Sequence, residues 1–472
     1  MYCNQLFEKK KGIRAIRFVP ILLFVSTFVI SLSGCEKEKE PNITQKVNNF
    51  VHNYFYLAYL WNTALPDNVD PNSEPDPFNY IDKLIYKKYD KWSFLDDDAE
   101  TLLKEYKGVS TTYGLKLGLS RFSNTETYFA VVQFVYANSP AEEAGLKRGD
   151  IIVKIDNGDI TESNYMNLYN STNITVQLGF YEAESIGLTD VLITMQSREM
   201  YLDPVLVHKI VEKGDRKIGY LCFTDFVEAS HNKLVNVFTE FKTANVTDVV
   251  LDLRHNPGGF VTTANYLASI LAPQSALNNK SVYLEEIWNK NYTEYNNSEG
   301  HAMTQYFNHE VGVNMDLSRL YILTSSGTAS ASEATIVSLK PYMEVIQIGE
   351  TTHGKYCAAA LIQPPLDDEG NLDPDIANWI LSLVIYKYAN SEGVTDFVNG
   401  IAPDYAVEDA WYDYKPLGDE SDPLLAKAIE LITGIPTAAS MKNAAVAPNF
   451  SYQMIPDMDK RKGGMIQLRI TN

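Results

Sequence analysis

The spacing of apolar residues near the start of the chain predicts helices. Residues 43–65 repeat large apolar side chains at three- and four-residue intervals, at Val47, Phe50, Val51, Tyr54 and Phe55. This spacing is typical of an amphipathic helix with one buried face. Prolines and aspartates over residues 66–77 predict a loop, and a second helix is expected over residues 78–86. We therefore expect a helical N-terminal segment over residues 43–104.

Over residues 105–203 the pattern changes to short apolar runs of strand length. The expected strands cover residues 113–117, 128–136 and 151–155. One short helix interrupts them, because Ser139 can cap it and Pro140 suits its first position. This succession resembles a PDZ domain, which binds a peptide by adding it as a strand. The resemblance places the carboxylate-binding loop of such a domain at Gly114, Leu115, Lys116 and Leu117.

From residue 204 onwards, strands and helices alternate. The expected strands cover residues 219–223, 248–253, 320–324, 345–348, 359–363 and 379–388, and the expected helices cover 230–242, 262–271, 330–339 and 422–433. This alternation is typical of an α/β unit with a mostly parallel sheet. The polar stretch 274–314 is interpreted as an insertion that shapes a substrate entrance. We expect the unit to end near residue 436, before a tail over residues 437–472.

The first 35 residues have the pattern of an export signal. A basic stretch ends at Arg17, and the apolar run that follows it over residues 18–30 is too short to span a bilayer comfortably. The next residues, Leu32, Ser33, Gly34 and Cys35, resemble a bacterial lipobox, in which the cysteine carries a diacylglycerol. We expect a signal peptide over residues 1–34, a lipid on Cys35 and a tether over 35–42. The alternative is a plain signal peptide with a chance cysteine at its end.

Composition narrows the classes of partner and cofactor. The 472 residues carry a formal net charge of −20, and so acidic a protein repels phosphate backbones. We therefore expect no nucleic-acid partner. Beyond the export signal only Cys222 and Cys357 remain of the four cysteines, and no group of Cys and His has metal-ligand spacing. Neither a metal nor a cofactor is expected.

The first candidate for chemistry is the run of small residues over 323–333. A buried strand, a turn and the start of a helix follow one another there, and Ser330 falls at the last junction. At such a junction the hydroxyl is expected to be exposed above the sheet edge, beside helix amides that can stabilise a developing oxyanion. On local evidence alone, a serine at this position more often simply caps the helix.

Two further segments follow predicted strands. Residues 349–355 end in Lys355, whose amine can act as a base only if burial lowers its pKa from about 10.4. Most lysines after a strand are instead solvated. Residues 249–259 run from a buried strand into Gly258 and Gly259, which let the backbone approach a ligand closely. Taken alone, each segment is an ordinary strand followed by a turn.

In this order and spacing the three segments resemble those of the C-terminal processing peptidases, also called tail-specific proteases. In that family a PDZ domain precedes the core, and the resemblance extends over about residues 90–407. It implies an α/β fold: a crotonase-like ββα protease core over 204–436, an inserted and mainly β PDZ domain over 105–203, and the N-terminal helical segment. The lipobox and the helices resemble the Bacteroidota branch, which implies a lipid-anchored protein of the cell envelope.

The resemblance also implies roles for individual residues. Ser330 matches the family nucleophile and Lys355 its general base. The oxyanion would be held by the backbone N–H of Ala331 together with that of Gly258 or Gly259. Ser332 and Glu333 are expected to orient the nucleophile segment, and Ser325 is an outside candidate for a helper hydroxyl. The expected reaction is peptide-bond hydrolysis through an acyl-enzyme.

The chain departs from the family pattern at three places. Many members have a glutamine four residues after the lysine, where this chain has Ala359, and Gln363 is the candidate to replace it. His255 stands in the glycine loop where an asparagine is usual. The stretch 274–314 is longer than usual.

Two other functions compete with the protease. A non-catalytic lipoprotein could bind peptides through its PDZ domain and a protease-like core, although the presence of both Ser330 and Lys355 disfavours this. A cysteine hydrolase using Cys357 has no histidine context to support it. The expected partners are protein or peptide substrates and, through Cys35, a lipid membrane, while self-association is left open.

Overall fold

The computed structural model describes residues 41–123, 125–182, 185–366, 370–436, 447–455 and 465–469. The predicted signal peptide, Cys35 and nearly all of the predicted tether lie outside these residues. Among the residues described, no helix combines the length and the apolar character that crossing a bilayer requires.

The N-terminal segment packs onto the main core of the protein. Its elements are α1 (Ile43–Ala58), α2 (Pro77–Leu84), β1 (Phe94–Asp96) and α3 (Ala99–Tyr106). The side chain of Asn42 accepts a hydrogen bond from the amide of Gln45 and so caps α1. The helix ends at Ala58, seven residues before the predicted end, because Tyr59 leaves the helical conformation with ψ 131° and Leu60 donates its N–H to the carbonyl of Val384 at 3.0 Å.

The PDZ region is a largely β unit with its own apolar core. Its elements are β2 (Val109–Thr112), β3 (Leu115–Phe122), β4 (Thr127–Val135), α4 (Pro140–Glu143), β5 (Ile151–Ile155), β6 (Gly158–Thr161), α5 (Asn167–Asn170), β7 (Asn173–Glu182), β8 (Ser185–Gln196) and β9 (Arg198–Tyr201). Ser139 caps α4 by accepting from the amide of Glu142 at 3.1 Å, as its sequence position predicts. Of the predicted carboxylate-binding loop, Gly114 lies in the turn and Leu115, Lys116 and Leu117 already belong to β3.

The remaining elements build the protease-like unit. They are β10 (Val205–Lys213), β11 (Arg216–Phe223), α6 (His231–Thr243), β12 (Asp248–Asp252), β13 (Gly259–Phe260), α7 (Val261–Leu271), α8 (Gln274–Asn278), β14 (Val282–Trp288), α9 (Lys290–Glu299), β15 (Thr304–Tyr306), β16 (Arg319–Thr324), α10 (Ala331–Leu339), β17 (Glu344–Gly349), β18 (Cys357–Ile362), β19 (Ile380–Ala389), β20 (Tyr405–Ala406) and α11 (Pro423–Thr433). Two strands of the tail complete the structure, β21 (Tyr452–Met454) and β22 (Met465–Arg469).

The first sheet of this unit brings the three candidate segments together. Its strand order is β10-β11-β12-β16-β17-β20, and all neighbours except β10 and β11 run parallel. The apolar face of α11 covers one side of the sheet, and the main core covers the other. Strands β12, β16 and β17 are adjacent, so the segments that follow them emerge at one edge, where α/β sheets bind ligands.

A second sheet lies on the other side of the main core. Its order is β13-β22-β18-β19-β14-β15, with β1 also paired to β19. The interpretation of residues 274–314 as a polar insertion is wrong, because β14 pairs antiparallel with β19 and buries Tyr283, Leu284 and Trp288. Its acidic residues Glu285 and Glu286 gave the stretch a polar appearance.

Candidate active site

Ser330 occupies a strained position immediately before α10. Its backbone has φ 58° and ψ −108°, a region that a residue with a side chain enters at a cost of about 1–3 kcal/mol. Its side chain is fully buried, contrary to the expected exposed hydroxyl. The burial follows from close packing: a side-chain carbon on Gly258 would lie only 3.0 Å from Cβ of Ser330.

Glu333 joins the nucleophile segment to the lysine segment. Its buried carboxylate accepts from the amides of Ser330, Gly354 and Lys355 at 2.7, 2.6 and 2.9 Å. The hydroxyl of Thr352 donates to it as well, at 2.6 Å. Burial raises the pKa of Glu333 to about 7, and these donors oppose that rise. One carboxylate therefore holds both segments in place.

Lys355 lies just before β18 in an almost fully buried position. Burial lowers the pKa of its amine to about 8, and Cys357, Asp90 and Glu333 partly oppose this shift. The Nζ atom is 5.4 Å from the ring centroid of Trp92. An amine with this pKa is about one-tenth neutral at pH 7 and half neutral at pH 8, and the neutral form is the one that can act as a general base.

Tyr388 on β19 touches both segments from the opposite sheet. Its hydroxyl oxygen lies 3.1 Å from the carbonyl oxygen of Ser330 and 2.7 Å from that of Lys355, so one hydroxyl hydrogen is shared between the two. The backbones of Ser330 and Lys355 are thus neighbours. Tyr388, Asp90 and Trp92 were not predicted as site residues. An apolar strand or a loop gives no sign of contacts with residues far away in the sequence.

The glycine turn packs directly against the start of α10. Gly258 and Gly259 have φ of 120° and 131°, and a side-chain carbon on Gly258 would lie 3.1 Å from the amide nitrogen of Ala331. The N–H of Gly258 donates to the side-chain oxygen of Asn256 at 2.9 Å. Ala331 starts α10, so its N–H has no acceptor within the helix. Of the predicted oxyanion donors, Gly258 therefore has its amide paired in this structure.

Serine side chains fix the glycine turn to the nucleophile segment. The hydroxyl of Ser332 donates to the carbonyl of Asn256 at 3.0 Å, and the side-chain amide of Asn256 donates to the carbonyl of Phe223 at 2.9 Å. Ser325 donates its hydroxyl hydrogen to the carbonyl of Arg254. That bond makes Ser325 a brace of the turn rather than the predicted helper hydroxyl.

Gln363 cannot take the place of the glutamine that Ala359 replaces. Ala359 is buried within β18, whereas Gln363 follows the end of that strand. At about 3.3 Å per residue, Gln363 is roughly 20 Å along the chain from Cys357, beyond the reach of its own side chain to Lys355. The suggested replacement is therefore wrong.

His255 belongs to a contact between the PDZ unit and the glycine turn. Its Nε2 lies 3.1 Å from Nη1 of Arg148, and burial, followed by Arg148 and Arg254, holds its pKa well below the usual range. Arg148 itself binds both carboxylate oxygens of Asp409 at 2.8 and 2.9 Å and lies 3.6 Å over the ring of Tyr414. His255 is thus a neutral contact residue.

The two buried cysteines have protonated thiols. Burial raises the pKa of both Cys222 and Cys357, so neither is a thiolate near neutral pH. This argues against the cysteine hydrolase. Within the described part of the chain, no three His, Cys, Asp or Glu side chains cluster as metal ligands would.

Comparisons with known proteins indicate one peptidase family. The family model of peptidase family S41 matches residues 217–407, its N-terminal domain matches residues 46–94, and a PDZ domain matches residues 131–165. Carboxyl-terminal-processing proteases of Synechocystis and Picosynechococcus are both 25% identical, over 69% and 75% of this chain and 70% and 80% of their own lengths.

A solved structure is similar over most of the chain. The crystal structure of a putative S41 protease from Bacteroides fragilis is 27% identical, with a TM-score of 0.68 over 85% of this chain and 99% of that one. The predicted family and fold class are confirmed. The chain therefore carries a peptidase S41 domain over residues 217–407 and a PDZ domain, and the Synechocystis and Picosynechococcus proteins that resemble it are carboxyl-terminal-processing proteases.

Proposed function

We propose that the chain is a serine endopeptidase in which Ser330 is the nucleophile and Lys355 its general base. The observation that carries this proposal is the shared carboxylate of Glu333, which binds the amides of both residues. The lowered pKa of Lys355, about 8, gives the base a neutral form at working pH.

The steps follow from the charges. Neutral Lys355 takes the hydroxyl proton of Ser330 as its oxygen attacks the peptide carbonyl, and an acyl-enzyme forms when the protonated lysine returns that proton to the leaving amine. The N–H of Ala331, which has no acceptor within α10, stabilises the oxyanion, and the N–H of Gly258 would join it on leaving the side chain of Asn256. Water, activated by the same amine, then releases the acyl group.

Recognition of substrate C-termini is assigned to the PDZ unit. An extended peptide would add antiparallel to β3, with its carboxylate near Gly114. Arg148 extends from this unit to the residues around the glycine turn, so peptide binding and the active site share contacts.

A fluorophosphonate probe tests the nucleophile. It should label the wild-type chain on the peptide that contains Ser330, and Ser330→Ala or Lys355→Met should label at least 100-fold more slowly. Ser326→Ala, an exposed serine of the same turn, is the matched control and should label normally. If Ser330→Ala labels as fast as the wild type, the assignment is wrong. Peptide binding without any labelling would instead support the non-catalytic peptide-binding lipoprotein.

Anchoring to the envelope membrane is the second part of the proposal and rests on the lipobox at Leu32-Ser33-Gly34-Cys35. Expressed with its signal peptide, the wild-type chain should sediment with membranes and carry a diacylglycerol on Cys35 by mass spectrometry. Cys35→Ala should move it to the supernatant, whereas Cys3→Ala should leave it in the membrane. A membrane-bound Cys35→Ala protein would exclude a lipid anchor at this residue.

A further inference from the structure

The tail of the chain fills a gap between two strands that begin at the candidate active site. Strand β22 pairs parallel with β13, with Met465 opposite Gly259 and Ile466 opposite Phe260. On its other side it pairs parallel with β18, from Ala358 opposite Met465 to Ile362 opposite Arg469. Residues 465–469 therefore connect the glycine turn to the strand that follows Lys355.

The direction of pairing places the entry to this gap at the catalytic end. Strand β13 directly follows Gly258, and β18 starts two residues after Lys355. Since both pairings are parallel, β22 begins beside these residues and runs away from them. The N–H of Phe226 donates to the carbonyl of Gly258, and the carbonyl of Phe226 accepts from the N–H of Phe260. The N–H and C=O of the intervening Gly259 therefore face the opposite side, towards β22.

An earlier part of the same tail lies on the free edge of β3 in the PDZ unit. Strand β21 pairs antiparallel with it, with Tyr452 opposite Phe122 and Met454 opposite Ser120. The N–H of Ile455 continues this ladder to the carbonyl of Leu119 at 2.8 Å. From Tyr452 to Ile455 each residue lies nearer to Gly114, the direction in which an added peptide would approach a carboxylate-binding turn.

Side chains hold this part of the tail as well as the backbone. Ile455 packs against the PDZ core. The ring centroid of Tyr452 lies 5.7 Å from that of Trp411 and 6.0 Å from that of Phe129, and Phe450 joins the same aromatic cluster. The contact therefore buries apolar surface and has the character of a docked ligand.

We propose that residues 447–455 and 465–469 are the resident ligand of the chain's own peptide path, the first at the β3 edge of the PDZ unit and the second in the gap between β13 and β18, so that a substrate must displace them. This rests on the proposed function, since it names the regulation of that site. Attachment to the chain gives the tail an effective concentration of about millimolar, so weak contacts suffice to keep it in place. Displacing it uncovers a row of backbone donors and acceptors beside the site.

The occupancy is tested without catalysis, in the full-length Ser330→Ala chain, by amide hydrogen exchange with mass spectrometry. Ile466→Pro removes a backbone donor from β22 and should speed exchange in peptides covering 258–260 and 357–362 about ten-fold or more. Lys290→Pro, at the first position of α9 where proline is tolerated, is the control and should leave exchange at these peptides unchanged. Peptides from β11 and β12 report that the fold is intact. Unchanged exchange at residues 357–362 in a folded Ile466→Pro chain would overturn the proposal.

A second experiment, with a cleavable chain, applies if the Ile466→Pro chain does not fold. Residues 441–446 are replaced by the recognition sequence of a specific protease, and the folded chain is cut there. Cutting and dilution should raise exchange at the same amides, and adding synthetic peptide 447–472 should restore it. Persistent fast exchange after the peptide is added counts against the tail as ligand.

The same chains with Ser330 restored separate this inference from the proposed function. Ile466→Pro should label with the fluorophosphonate several-fold faster than the wild type, and the synthetic peptide should slow it again. If no form labels while the exchange pattern holds, the hydrolase assignment fails and the resident ligand stands. If the wild-type, Ile466→Pro and cut chains all label at one rate and exchange is unchanged, the hydrolase assignment stands and the resident ligand fails.

Discussion

The pKa of Lys355 makes the pH dependence of labelling at Ser330 a quantitative prediction. With a pKa of about 8, roughly one amine in ten is neutral at pH 7 and nine in ten at pH 9. The rate constant for reaction with a fluorophosphonate should therefore rise about nine-fold between pH 7 and pH 9, with a midpoint near 8. It is measured from the labelled fraction against time at constant ionic strength.

The same shift predicts a stability effect of known sign. Burial lowers the pKa of Lys355 from 10.5 to about 8, which corresponds to about 3 kcal/mol at about 1.4 kcal/mol per unit. This cost is fully present below pH 8, where both states bind the proton, and is relieved as pH rises from 8 to 10.5. Lys355→Met should therefore raise the free energy of unfolding at pH 7 by up to about 3 kcal/mol, a gain that fades by pH 10.

Two control variants make the result decisive. Glu333, with a pKa of about 7, titrates nearby and its charge raises the pKa of Lys355, so in Glu333→Gln the rise in rate should persist with its midpoint shifted to lower pH if Lys355 is the base. Lys340→Met, an exposed lysine after α10, should change neither the profile nor the stability. A rate that is flat from pH 6 to pH 9, or one that rises only above pH 10, would show that the amine of Lys355 is solvated and refute the reasoning.

Three further substitutions probe the packing around the site. Tyr388→Phe removes the donor shared by two carbonyls and should lower the free energy of unfolding by about 1–2 kcal/mol and slow labelling several-fold, whereas exposed Tyr306→Phe should do neither in urea titrations and labelling assays. Gly258→Ala should abolish labelling, because its Cβ would crowd the start of α10; Gly300→Ala, also at positive φ but facing open space, should cost only stability. Arg148→Ala should weaken the contact between the PDZ unit and the glycine turn and change KM for long peptides more than the labelling rate of the free chain, as steady-state kinetics would show.

The sequence was sufficient to predict the first sheet, for a physical reason. Strands of a parallel sheet are covered on both faces, so residues 248–253, 320–324 and 345–348 are mostly apolar, without the alternation of polar residues that a half-exposed strand shows. The chemistry-bearing segments follow those runs directly, and the strand ends meet at one edge. Only the family resemblance selected Ser330 among several neighbouring serines.

Contacts between residues distant in sequence could not be predicted. Trp92 and Tyr388 are ordinary aromatic residues in the sequence, and their position around Lys355 depends on how β1 and β19 pair. The tail strands β21 and β22 are three and five residues long and owe their conformation to the edges that receive them. The local pattern of apolar and polar residues does not indicate which distant strand each segment will pair with.

The pairing of β1 with β19 has a consequence for when the enzyme can form during synthesis. Phe94 on β1 lies opposite Ser382 on β19. The segment that carries Trp92 therefore cannot pair with its partner strand until almost three hundred further residues have been made. Closing so long a loop is slow and requires the whole intervening chain. A nascent chain therefore cannot complete the surroundings of Lys355 until nearly all of its residues have left the ribosome.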